Sequence, residues 1–454
     1  MKRFVLEKLK EWRGKLDRKP LIIHGARQVG KTWLMKEFGK TQYKSVAYIG
    51  FEKNKRMENL FSGDMDTKRL LIGLEAEARQ KIIPGKTLII FDEIQECPNA
   101  LTSLKYFNEN MSKYDIITAG SSLGVFLHKG VSFPVGKVDF IDLHPMSFCE
   151  FLDAMGEEKL CEMLDSLDFD LIKVFKEKFL SYLRTYLYIG GMPEAVRSFV
   201  SSRDFLTVRE IQKKILQSYE NDFSKHIPKE QIQKVSQVWN SIPAQLAREN
   251  KKFVYKEVKK GASAKTFEYA LEWLIRSGLI YRIARIAKPA IPLKGYEGES
   301  GAFKLFMLDV GLMAAQAEVD SQAILEGDRL FTEFKGALTE QFVCQELKTL
   351  KDSHLAYWTN EASARAEVDF ILQFNCQIIP VEVKSATNLR ARSLSVYREK
   401  FQPEIEIRTS QADFKITNNL CDVPLYALGK LKQIIDHFRN TKQILPQEGT
   451  NKLS

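Results

Sequence analysis

The sequence predicts an α/β fold: a parallel sheet wound with helices, a helical middle, and a second, smaller α/β unit. Three observations predict it. Leu21-Ile22-Ile23, Ser45–Phe51, Leu88-Ile89-Ile90-Phe91 and Asp115–Gly120 are short apolar runs that alternate with helical stretches. From about Glu157 to Lys252, apolar residues recur at helical spacing, as in Leu180, Leu183, Leu187 and in Ile211, Ile215, Tyr219. Helical and strand patterns then resume and end in the alternation Val381-Glu382-Val383-Lys384.

The first strand runs into Gly25-Ala26-Arg27-Gln28-Val29-Gly30-Lys31-Thr32, followed by the helical Trp33–Phe38. Strand, glycine-bearing loop and helix together form a phosphate cradle. Gly25 and Gly30 let the backbone curl so that successive amides point inward, and the helix N-terminus adds partial positive charge. Lys31 is placed to reach the β- and γ-phosphates of a nucleotide, and the Thr32 hydroxyl to bind Mg²⁺.

The third strand supplies the matching acids. Leu88–Phe91 ends in Asp92-Glu93, at the carboxyl edge where ligands sit in open α/β sheets. Asp92 is expected to hold Mg²⁺, mostly through water, and Glu93 to polarise the attacking water as general base. The fourth strand ends in Ser121-Ser122, and Ser121 could orient water against the γ-phosphate or simply make a turn. These features predict a P-loop nucleoside triphosphatase core that takes a nucleoside triphosphate with Mg²⁺.

GARQVGKT, FDEIQ and the serine pair resemble the AAA-related P-loop ATPases of bacteria and archaea, which implies ATP as the nucleotide. The likeness continues through Phe133–Val138 and His144–Phe151 and ends in Tyr188–Val196. It implies an arginine where this chain has Lys137, which supplies charge without a planar fork. Arg27, inside the loop, is the substitute candidate. Gly190-Gly191-Met192-Pro193 resembles the turn into a helical lid; the favoured reading of the residues themselves is a plain helix break with no contact to nucleotide.

The segment Lys251–Val258 with a short helix, the longer helix Ala264–Leu274 and the returning strand Gly278–Ile283 look like a winged helix. It either offers Lys256, Lys259, Lys260 and Lys265 to nucleic acid or packs as a lid. Lys288–Gly298, rich in Pro and Gly, marks a loop or a domain seam.

The last unit places Glu340 on a helix, Asp369 at the start of a strand, and Glu382 and Lys384 on one face of the next. Carboxylates converging beside an amine are the apparatus of metal-dependent phosphodiester hydrolysis, with Lys384 steadying the charged transition state. The pattern resembles the PD-(D/E)xK nuclease fold, a restriction-endonuclease-like α/β domain, with Val368 in place of the usual proline. The resemblance implies a second Mg²⁺ or Mn²⁺ held by Glu340, Asp369 and Glu382. An inactive binding fold and a surface ladder of alternating charges remain open readings. Arg390, Arg392 and Arg398 either meet a phosphate backbone or form a solvated face.

The expected division is an ATPase domain over 1–155, a lid and winged-helix region over 156–300, a nuclease-like domain over 301–435 and a tail over 436–454. A formal charge of +10 permits a nucleic-acid partner, DNA before RNA. The apolar runs are too short to span a bilayer and the start shows no secretory signal. Six scattered cysteines with no C-x-x-C pair point to a reducing cytoplasm. The functional expectation is an ATPase coupled to a nuclease-like domain, with a homo-oligomer or protein partner open. Its rival is a slow nucleotide switch in signalling or defence that cuts no nucleic acid.

Overall fold

Leu21–His24 (β1), Ser45–Gly50 (β2), Thr87–Asp92 (β3), Asp115–Ala119 (β4) and Asp139–Asp142 (β5) form one sheet in the order β2-β3-β4-β1-β5. Every pairing in it is parallel. β3 and β4 are buried along their whole length, as parallel strands covered on both faces must be. Apolar clusters lie on either side, one around Leu34, Phe38 and Ile90, the other around Phe51, Phe61 and Phe91. The four expected runs are β1 to β4. β5 is an added edge strand whose sequence, Asp-Phe-Ile-Asp, is half exposed and lacks an apolar run. This is a P-loop nucleoside triphosphatase core in an α/β chain.

The coordinates are a computed structural model that describes residues 1–120, 134–248, 251–297, 301–320, 334–351, 353–360, 366–385 and 392–444. Ser121, Ser122, Phe133 and Arg390 lie outside them. Among the described residues no helix is long and apolar enough to cross a membrane.

The middle is helical, as the spacing predicts. Its main helices are Lys176–Ile189, Pro193–Ser202, Phe205–His226 and Lys229–Leu246. Tyr255–Val258, Ala264–Arg276 and Ile280–Ile286 (β6) come next, in the expected sequence of short helix, long helix and strand.

β6 pairs antiparallel with Phe303–Met307 (β7) and parallel with His354–Thr359 (β8). Glu367–Phe374 (β9), Gln377–Val383 (β10), Glu406–Ser410 (β11), Lys415–Thr417 (β12) and Leu420–Pro424 (β13) complete an eight-stranded mixed sheet. Its order is β12-β13-β11-β10-β9-β8-β6-β7. One sheet therefore spans residue 300, and the expected returning strand, β6, lies beside its edge strand β7.

The helix Lys335–Lys348 packs on this sheet and is buried on its polar side as well. Its two buried glutamines are matched, as burial requires, whereas Glu346 Oε2 has no hydrogen-bond partner among the described residues. Gln341 accepts from the Met307 amide at 2.8 Å and donates to the Met307 carbonyl at 2.7 Å. Gln345 accepts from Val310 N–H at 2.9 Å and donates to the Tyr186 hydroxyl at 2.8 Å. Glu346 accepts from Phe148 N–H at 2.8 Å. This one helix thus touches the second sheet, the helical middle and the Phe148–Ala154 helix that comes after the first sheet.

Candidate functional site

β1 delivers the chain to the glycine loop at the carboxyl edge of the first sheet. Gly25 has φ 153°, and a Cβ there would lie 2.3 Å from the Leu143 carbonyl oxygen. Gly30, at φ 96°, precedes the helix Lys31–Gln42. Both positions demand glycine. Lys31 is 7 % exposed and its Nζ donates to the carbonyls of Gly25 at 2.9 Å and Ala26 at 2.7 Å. Burial pulls its ammonium down to about 8, against the pull of Glu93 and Asp92.

β3 carries Asp92 to the same edge. Asp92 Oδ2 accepts from the Thr32 hydroxyl at 2.8 Å and from the Tyr48 hydroxyl at 2.9 Å. Hydroxyl and carboxylate oxygens meeting beside an ammonium are hard donors that suit Mg²⁺ at a phosphate cradle. Glu93 sits in the left-handed region at φ 53°, ψ 45°, a conformation an ordinary residue rarely adopts. That twist turns the chain off the strand, and Glu93 Oε2 accepts from Gln95 Nε2 at 2.5 Å.

Helix Phe205–His226 lies over the loop. Asp222 forms an ion pair with Arg27, Tyr219 donates its hydroxyl to the Arg27 carbonyl at 2.9 Å, and Gln28 Nε2 donates to Ser218 Oγ at 3.2 Å. Lys225 and His226 face Glu93 across a cavity of about 20 Å³. On the other flank a cavity of about 610 Å³ opens beside Gly25, Ala26 and Val29, between the Val5–Gly14 helix and Tyr281.

Arg3, unmarked in the sequence, is buried beneath the loop. It donates to Val29 O at 3.0 Å, His144 O at 2.6 Å and Glu150 Oε1 at 3.1 Å. The Gly190–Pro193 turn also reaches the loop. Pro193 Cγ lies 3.6 Å from where a Cβ on Gly30 would stand. Lys137 is elsewhere. It precedes β5, whose first residue pairs with the start of β1, and it forms an ion pair with Glu109 at 3.0 Å. It therefore sits at the sheet edge opposite the loop. Arg27, the substitute, is held by Asp222.

Residues 17–152 match a family model described as an AAA domain. This segment is an AAA-type P-loop ATPase domain. Beyond the ATPase domain come matches to two domains of unknown function, DUF8612 over residues 180–323 and DUF4143 over residues 335–428. No curated protein matches the chain.

Solved structures similar to it include a Walker-type ATPase of Pyrococcus abyssi, at 14% identity and TM-score 0.43. It covers 69% of this chain and 94% of its own. The ORC1 protein of Aeropyrum pernix in complex with DNA is similar at 13% identity, TM-score 0.26 and coverages of 70% and 93%. Cdc6p of Pyrobaculum aerophilum is similar at 10% identity, TM-score 0.25 and coverages of 71% and 93%. Scores this low transfer neither a domain arrangement nor a partner to this chain.

A second group of charges lies on the eight-stranded sheet beneath the Lys335–Lys348 helix. The structure brings together Glu340, Asp369 and Glu382, with Lys384 Nζ 2.7 Å from Glu382 Oε1. It adds three residues that sequence reasoning missed: Glu367 on β9, Lys304 on β7 and Lys251. Lys304 is fully buried, with Nζ 2.5 Å from Glu367 Oε1, 3.5 Å from Glu340 Oε2 and 4.0 Å from Asp369 Oδ1. Lys251 is paired with Glu340 Oε1.

Burial opposes the charge of Glu340, but Lys304 and Lys251 outweigh it and hold the carboxyl at about 2. Burial, then Glu340 and Glu382, push Asp369 well above the usual carboxylate range. Among the described residues no three His, Cys, Asp or Glu side chains are grouped so as to hold a metal ion. Arg398, exposed on the Arg392–Phe401 helix, is bound by both oxygens of Glu406 at 2.6 and 2.7 Å. No sequence signal marks the lysines, since most lysines are solvated.

Proposed function

We propose that the chain binds and hydrolyses Mg-ATP at its ATPase domain and passes the nucleotide state to the carboxyl-terminal α/β unit. The Thr32–Asp92 contact of 2.8 Å beside buried Lys31 carries this reading. Lys31 neutralises γ-phosphate charge, and the amides of residues 27–32 hold the phosphate oxygens. Thr32 and Asp92 would hold Mg²⁺, which when bound offsets charge on the β- and γ-oxygens. Glu93 takes the proton of the attacking water at its carboxylate. The cavity of about 610 Å³ offers room for base and sugar. The test is steady-state phosphate release by the pure chain, with Glu93→Gln as control. Turnover indistinguishable from that control would refute hydrolysis.

The lid contacts favour a slow switch acting through partners as the second reading. Asp222, Tyr219 and Ser218 all hold the loop from one helix. Nucleotide exchange then waits on the release of that helix. A burst of one phosphate per chain followed by slow release supports it; an immediate, linear, fast rate does not.

Nucleic acid, DNA before RNA, is the partner proposed for the exposed Lys256, Lys259, Lys260 and Lys265. Binding that weakens steeply with salt and depends on these four supports it. The cytoplasmic setting is consistent with six cysteines that are all free thiols.

A further inference from the structure

We propose that the acidic centre of the carboxyl-terminal unit is closed by its own lysines, with the Lys304 ammonium in the place of a catalytic metal, so that this unit does not cut nucleic acid. The inference rests on the geometry around Lys304 and is independent of the ATPase reading.

Each carboxylate is already engaged. Glu340 gives one to Lys251 and the other to Lys304. Asp369 Oδ2 accepts from Val383 N–H at 2.8 Å, and Oδ1 faces Lys304 at 4.0 Å. Glu382 Oε1 is held by Lys384. Glu382 Oε2 is a buried oxygen with no hydrogen-bond partner among the described residues. Mg²⁺ usually binds through one or two carboxylates and keeps several waters, and here each of the three carboxylates is already held by an ammonium or a backbone amide.

Lys304 also cannot step aside. It lies inside β7, paired in register with Ile283 of β6, and its side chain is 0 % exposed. An incoming divalent cation would have to displace a buried ammonium that has no path to water, or sit against it. Either choice leaves a charge buried without a partner, which is strongly unfavourable. With three ammonium groups facing four carboxyls, the centre is close to charge balance without a metal. Its role is then to fasten parts together: Lys251 comes from the end of the helical middle, Lys304 from β7, Glu367 and Asp369 from β9, and Glu340 from the Lys335–Lys348 helix.

The test is a Mn²⁺ titration of the full chain, without nucleotide, read by electron paramagnetic resonance. The expected result is the same Mn²⁺ occupancy for the wild type, Asp369→Asn and Glu382→Gln. Lys304→Met, which removes the ammonium and keeps the length, is expected to gain one site. A wild-type Mn²⁺ site that both carboxyl variants lose would overturn the proposal. So would wild-type cleavage of single- or double-stranded DNA or RNA that Asp369→Asn abolishes. The wild-type comparison decides the matter even when Lys304→Met does not fold. ATP binding, read by calorimetry on the same samples, keeps the fate of the ATPase reading separate.

Discussion

Gly191 donates its amide hydrogen to Asp309 Oδ2 at 2.6 Å, in a fully buried setting. The same carboxylate caps the Val310–Gln316 helix through Leu312 N–H at 3.0 Å and lies 3.5 Å from Gln345 Nε2. On its other side Gly191 accepts from Met146 N–H at 2.7 Å. The turn that packs Pro193 against Gly30 is therefore tied to the Lys335–Lys348 helix, which carries Glu340. This is a continuous packed route between the nucleotide loop and the acidic centre.

That route depends on the absence of a side chain at Gly191. A Cβ there would stand 2.0 Å from the Met146 carbonyl oxygen, a backbone atom that cannot swing away. Gly191→Ala is expected to cost roughly 3 kcal/mol or more. A thermal melt reads the loss, and an unchanged transition would disprove the close approach.

At the ATPase domain, binding and chemistry are expected to separate. Lys31→Ala should weaken ATP binding by about 100-fold or more, because the buried ammonium is the cradle's own charge. Glu93→Gln should leave binding in place and slow hydrolysis by about 100- to 10,000-fold. Calorimetry and phosphate release measure the two arms.

Loosening the lid should speed exchange. Asp222→Asn removes the carboxylate that pairs with Arg27 and leaves the Tyr219 and Ser218 contacts in place. A fluorescent ATP analogue is expected to bind several-fold faster in stopped flow. An unaltered rate would mean that this helix does not gate the loop.

Glu346 makes stability depend on pH. Burial raises its carboxyl to about 7 in the folded chain, against an ordinary value of 4.5. The folded state keeps a proton that the unfolded state has released, so stability is fully present below about pH 4.5 and is lost as pH rises through 7. The loss attributable to this group is on the order of 3 kcal/mol. Glu346→Gln keeps an acceptor for Phe148 N–H and cannot ionise. Melts from pH 5 to 8 should show the wild type falling relative to the variant; parallel curves would contradict the buried acid.

Much of the ATPase domain was legible because its signals are local. A glycine-bearing loop with a lysine and threonine opening a helix, and an apolar run ending in two acids, are each contained within a few consecutive residues. β5 escaped notice because Asp139-Phe140-Ile141-Asp142 is half exposed and offers no apolar run. β6 was legible as a strand, yet its partners were not. Its pairing with β8 joins Ala284 to Ala356 across a long intervening segment.

The sequence by itself determined the phosphate cradle, the strands that flank it and the acids at their ends, since backbone freedom and apolar periodicity are properties of short segments. Only the tertiary structure decided which cations meet which carboxylates. Lys304 and Lys251 look like any surface lysines until the fold buries them beside Glu340. Asp222 looks like any helical acid until its helix crosses Arg27. Burial and long-range pairing set those partnerships, and neither is encoded in local spacing.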